Sequence, residues 1–206
     1  QGKCAHIIDA DEVRASYPEP LGFSRADIRE NNRRHALIAQ EKLKDNETLS
    51  ASYLNIGNDY QLMKNYSLAL SFYQKALDIQ NVIDNKYTIA RIYNSMATIY
   101  KNLHKLDLAL NYYLKSNTLK QETQDIEGLI TGYLSLGEVY LELNKSKLAI
   151  EYLKKSLLMA DSTGSTENLK YIYPGLINAY KEEKNFEKAL QYFFLSNQVS
   201  YSCNSE

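Results

Sequence analysis

The chain has 206 residues, with 24 Lys and Arg against 25 Asp and Glu, so no strong net field draws it to nucleic acid or to an anionic membrane surface. No apolar run approaches the ~20 residues of a membrane helix, and no signal-peptide pattern opens the chain; neither nucleic acid nor membrane is expected as a partner of this segment. Its length is enough for a sizeable core in one or two domains.

In chain order, the first residue is Gln1 rather than Met, from which a longer parent protein is expected. Residues 1–23, with Pro18 and Pro20, read as an irregular lead-in with a short helix. Residues 24–49 read as a degenerate half repeat, because Arg25 to Lys44 aligns with the second helix of the later units and Ala36 and Leu37 match Ala76 and Leu77.

From residue 50 the chain repeats itself with a period of 40. Tyr53, Tyr93, Tyr133 and Tyr173 recur in one frame, and Tyr60, Tyr100, Tyr140 and Tyr180 follow seven residues further on. Between them lie Ile56, Met96, Leu136 and Leu176, then Gly57, Ala97, Gly137 and Ile177. Later in each unit come Ala69, Ala109, Ala149 and Ala189, then Tyr73, Tyr113, Leu153 and Phe193, then Ala76, Ser116, Ser156 and Ser196. Spacings of three, four and seven place these side chains on one helix face, so each unit predicts two amphipathic helices. Polar turns join them at Lys64-Asn65, His104-Lys105, Asn144-Lys145 and Lys184-Asn185. The small residues mark close helix approach, where overpacking costs on the order of 1–3 kcal/mol. The units are 50–89, 90–129, 130–169 and 170–206. In the last, Pro174 predicts a kink or a late helix start.

With those residues in place, Tyr53-x2-Ile56-Gly57-x2-Tyr60 with Ala69-x3-Tyr73, and Tyr133-x2-Leu136-Gly137-x2-Tyr140 with Ala149, resemble the tetratricopeptide repeat. The resemblance covers residues 50 to 201. It implies an all-α right-handed superhelix, a solenoid of four helical hairpins plus the N-terminal partial repeat. The family's closing proline is absent; Asn81, Gln121, Asp161 and Tyr201 stand there, which allows the second helix to run beyond the usual unit of about 34 residues. Units of this length resemble those of bacterial signalling regulators and kinesin light chains. No polar cap follows Phe193 and Phe194, so the protein is expected to continue or to pack this end on a partner.

Chemistry is sparse. His6, His35 and His104 do not fall at metal-ligand spacing, and Cys4 and Cys203 lie at opposite ends of an elongated array, too far apart for a disulfide. No nucleophile pattern, phosphate loop or buried acidic pair is found. The expectation is a non-enzyme without cofactor or metal. By resemblance, first helices line a concave face that holds a protein or extended peptide. The matching positions are Asn55, Asn58, Arg91, Asn94, Thr98, Lys101, Ser135, Glu138, Asn178 and Lys181. An asparagine amide both donates and accepts, which suits it to clamping a bound backbone; the same residues fit a plain solvated face equally well. Leu54, Ser95, Thr131 and Ser135 replace the Lys, Asn and Arg of the family's chaperone-tail clamp, which argues against that ligand. The expected role is a binding module, as the sensory or regulatory region of a larger bacterial protein, cytoplasmic or periplasmic. The alternative is a homo-oligomeric structural element stacking through its uncapped terminal helices.

Overall fold

The computed structural model describes residues 46–202, with Glu30, Arg33 and Arg34 besides; nearly all of the expected lead-in and half repeat lies outside the described residues. Eight helices and no strand occur among those described. They are α1 (Asn46–Leu62), α2 (Tyr66–Ile83), α3 (Lys86–Asn102), α4 (Leu106–Glu122), α5 (Ile126–Glu142), α6 (Ser146–Thr163), α7 (Thr166–Glu182) and α8 (Phe186–Ser202). First helices therefore begin at 46, 86, 126 and 166, four residues ahead of the units framed on the tyrosines. The chain forms two compact units, Gln1–Ser95 and Met96–Glu206, divided within α3.

Local sequence sets the ends of these helices. Asn65 and Asp125 accept hydrogen bonds from the backbone N–H of Leu68 and Gly128, and so cap α2 and α5. Asn85 and Asn185 do the same for Thr88 and Lys188, each serving one of the N–H groups a helix start leaves unpaired. The exits are more demanding. Lys64, His104, Asn144 and Lys184 all adopt positive φ, as do Asp84 and Gln124 between hairpins. At the first of these turns Lys64 N–H donates to Gln61 O and Asn65 N–H to Tyr60 O, a left-handed helix stop that usually selects glycine. Among the described residues, Gly164 alone supplies one at positive φ.

Within the first unit, Gly57 lets the ring of Tyr73 lie against the α1 backbone: a Cβ there would stand 2.5 Å from Tyr73 Cε1. Tyr73, Ala69 and Ala76 are completely buried, and Ser50 Oγ donates to Ala76 O, tying α1 to α2. The second unit repeats this arrangement with different side chains. A Cβ on Gly137 would stand 2.5 Å from Leu153 Cγ, Ala149 is fully buried, and Ser156 Oγ donates to Ile130 O at 2.7 Å. Ile130, Leu134, Ile172 and Leu176 join Leu153 in the main cluster of that unit.

The tyrosines pack within their own hairpins. Tyr60 stacks on Phe72, Tyr100 on Tyr112, Tyr140 on Tyr152 and Tyr180 on Tyr192, with centroids 5.3–5.7 Å apart and rings within 17° of parallel. Such pairs add about 0.5–1.5 kcal/mol beyond the area they bury.

Pro174 lies inside α7, which begins at Thr166 in step with the other first helices. The late start expected from the sequence does not occur. Pro174 has no N–H to give the Lys170 carbonyl, but Leu169, Ile172, Tyr173 and Leu176 around it are all buried, and that packing holds the helix through the gap.

Candidate functional site

First helices carry all ten residues singled out in the sequence. In the first unit, Asn55 and Arg91 are exposed, while Asn58 and Asn94 are half-buried. Asn58 is held from below. The hydroxyl of Tyr73 lies 2.7 Å from Asn58 Oδ1 and 2.6 Å from Gln61 Oε1. One phenolic proton serves one acceptor, so in the other pair the amide turns its NH2 toward the phenol oxygen. Burial pushes the Tyr73 phenol up to about 12; a hydrogen bond with Ser95 pulls it down and the charge of Asp59 pushes it further up. The phenol therefore stays neutral and fixes the amides of α1 at neutral pH.

In the second unit, Thr98 Oγ1 and Tyr113 OH share a 3.0 Å hydrogen bond, the same device forty residues on. Lys101 Nζ donates to Glu138 Oε2 at 2.5 Å and so joins α3 to α5. Burial lowers the Lys101 ammonium, but the bond to Glu138 and the charges of Glu138, Tyr113 and Glu142 outweigh it, and its pKa ends above the ordinary value. Beside this pair a cleft of about 460 Å³ is lined by Lys101, Asn102, His104, Leu106 and Glu142. Ser135 Oγ donates back to Thr131 O on its own helix. Asn178 and Lys181 are exposed on α7.

The structure thus brings Thr98, Lys101 and Glu138 into one polar cluster with Tyr113 and Glu142, while Ser135 is engaged with its own backbone. The sequence reading missed Gln61 and Glu142, and placed Ser95 only among the departures from the chaperone-tail clamp. Gln61 was within reach, because it precedes Lys101 by one period, and Glu142 lies one turn beyond Glu138. Tyr73 and Tyr113 read as core, and both are buried; what the reading lacked is that their hydroxyls hydrogen-bond polar side chains of the first helices. Tyr171, 62% exposed, stands one period after Thr131 and two after Arg91, and adds an aromatic ring to the stripe of α7 that bears Asn178.

Among the described residues no helix is long and apolar enough to cross a membrane, and no group of three His, Cys, Asp or Glu could hold a metal ion.

Profiles of the tetratricopeptide repeat match residues 88–162 and 50–82, together just over half of the chain. No curated protein sequence matches it significantly. Among solved structures, BtubC (BKLC) from P. vanneervenii is 22% identical with a TM-score of 0.76, over 95% of this chain and 76% of that one. MamA is 15% identical with a TM-score of 0.71, over 97% of this chain and 99% of that one. A Rap protein complexed with competence and sporulation factor is 15% identical with a TM-score of 0.69; 87% of this chain covers 51% of that one. Likeness at this identity establishes the all-α helical-repeat fold.

Proposed function

The chain belongs to the tetratricopeptide-repeat family, and from that premise we propose that it is a protein- or peptide-binding module that acts by holding a partner segment rather than by catalysis. The observation that carries this reading is the anchoring of polar side chains on first helices by buried tyrosines. Tyr73 holds Asn58 and Gln61, and Tyr113 holds Thr98. A merely solvated face gains nothing from fixing its amides and hydroxyls. A recognition face does, because donors and acceptors immobilised in advance lose less entropy on binding.

The ten positions Asn55, Asn58, Arg91, Asn94, Thr98, Lys101, Ser135, Glu138, Asn178 and Lys181 are the proposed contacts, with Gln61 and Tyr171 added. Amides and hydroxyls predominate, which suits hydrogen bonding to an extended backbone. Lys101 is already neutralised by Glu138, so the second unit does not favour an acidic ligand. The proposed setting is the sensory or regulatory region of a larger bacterial protein, supported by the 40-residue units and by the bound factor of the Rap protein that shares this fold.

Selection of peptides from a random library on the 206-residue chain tests the reading. Asn178→Ala with Lys181→Ala removes two exposed side chains, and should weaken the selected peptides by at least about ten-fold without moving Tm. Peptides bound equally well by this variant and by Asn58→Ala with Asn94→Ala would remove the proposed face from consideration.

A further inference from the structure

Two seams between successive hairpins lie in the second unit, where α4 meets α5 and where α6 meets α7. At the latter the contact is apolar. Leu157 and Ala160 of α6 pack with Ile172 of α7 in one cluster, and Ala160 and Ile172 are completely buried or nearly so. Forty residues earlier the same positions hold Asn117, Lys120 and Gly132. Asn117 and Lys120 are only 4% and 3% exposed, so this end of the α4–α5 seam shuts polar groups away from water where its counterpart shuts away methyl groups.

Those polar groups are unequally served. Lys120 Nζ donates to Gly128 O at 2.9 Å, but neither Oδ1 nor Nδ2 of Asn117 has a hydrogen-bond partner. The amide fills the space a side chain at position 132 would need: a Cβ on Gly132 would overlap Asn117 Oδ1. A buried amide without partners regains its hydrogen bonds as soon as water reaches it, so opening the seam recovers free energy that closing it gave up. Gln80 Oε1 is the other buried side-chain atom without a partner among the described residues, but the nitrogen of that amide donates to Ser50 Oγ.

The helix across the seam is itself easily unwound at this end. Gly128 and Gly132 fall in the first two turns of α5, and glycine loses more backbone freedom in a helix than any other residue. The equivalents in α7 are Asn168 and Ile172. Buried Leu129 and Ile130 hold the segment, together with the Asp125 cap on Gly128 N–H and an exposed bond from Gln121 Nε2 to Tyr133 OH. The second half of α5 is anchored differently: Leu136 and Val139 pack with Ala97, Ala109 and Tyr113. We propose that the first two turns of α5, residues 126–133, form a joint that opens from α4 within the folded protein while the second half of α5 stays packed. Ser135, one of the proposed contacts, follows the segment directly, so the joint gives the face an adjustable edge.

Native-state hydrogen exchange on the 206-residue chain, read amide by amide, tests the joint. After correction for intrinsic rates, the amides of residues 130–133 should exchange at least about 100-fold faster than those of residues 138–141. Asn117→Leu with Lys120→Ala places the residues of α6 at this seam, and should slow exchange at 130–133 by at least about ten-fold. If that pair perturbs the fold, Asn117→Leu alone carries the same test. Equal protection of the two halves of α5 in the wild type overturns the proposal, whatever satisfies Asn117 in solution. Fast exchange at 130–133 that the variants leave unchanged is ordinary fraying of a helix start, and overturns it too. No ligand enters the measurement, so failure here leaves the proposed binding face standing, and failed peptide selection leaves the joint standing.

Discussion

The first and third hairpins solve one packing problem with two side chains. In each, a glycine on the first helix clears room for a large residue sixteen positions later, and the clearance is equal: a Cβ at the glycine would stand 2.5 Å from Tyr73 in one and 2.5 Å from Leu153 in the other. Both large side chains are fully buried. The difference lies beyond the shared volume. The Tyr73 ring continues into a hydroxyl that reaches Asn58 and Gln61, so core packing and the arrangement of the polar face are one structure in the first hairpin. Leu153 ends in methyl groups, and the polar face of the third hairpin is organised from outside by the ion pair of Glu138 with Lys101. A repeat can therefore keep its frame while changing whether its core is mechanically linked to its polar face.

The largest expected effect tests the half that is shared. Gly57→Leu and Gly137→Leu should each destabilise by about 3 kcal/mol or more, with Ala149→Leu close behind, as read from denaturant midpoints. If either glycine variant proves much milder than the other, the two hairpins do not share one packing rule.

The next prediction concerns a position where the hairpins diverge. Gln80, Lys120 and Ala160 occupy equivalent sites, and Lys120 is buried with Nζ donating to Gly128 O. Burial brings its ammonium down to about 8, partly offset by the charge of Asp125. The folded chain then holds this proton less tightly than the unfolded one, for which the ordinary value is 10.5. The buried charge accordingly destabilises below pH 8, and stability is recovered as pH rises from 8 toward 10.5, by up to about 3 kcal/mol. Lys120→Ala should abolish that rise, as measured by the difference between the two unfolding free energies at each pH. Parallel profiles for wild type and variant would mean that Lys120 is solvated in the folded chain.

A smaller effect tests the half that differs. Tyr73→Phe keeps the ring and deletes the hydroxyl, and should cost about 1 kcal/mol while weakening peptides that contact Asn58. The third hairpin has no hydroxyl at this position to lose. Unchanged peptide affinity in Tyr73→Phe would show that the amides of α1 need no anchor. The smallest change, Lys147→Ala on the solvent side of α6, should stay within about 0.5 kcal/mol; a larger loss would place Lys147 in an interface that the repeat frame does not contain.

The repeat, the helices and their buried faces were legible because they depend on local order. A side chain's position along the chain sets its direction on a helix, and a fixed period of 40 sets which faces meet. The frame therefore identified Gly57, Ala69, Tyr73, Ala149 and Leu153 as contact positions without coordinates. Tertiary structure decided the rest. The partners of the Tyr73 hydroxyl and the union of Lys101 with Glu138 thirty-seven residues away depend on how neighbouring helix axes approach, and periodicity leaves that approach open. The left-handed turns at Lys64, His104, Asn144 and Lys184 belong with these, since no glycine announces them. Packing on both sides of each turn forces the backbone into a conformation these residues rarely adopt on their own.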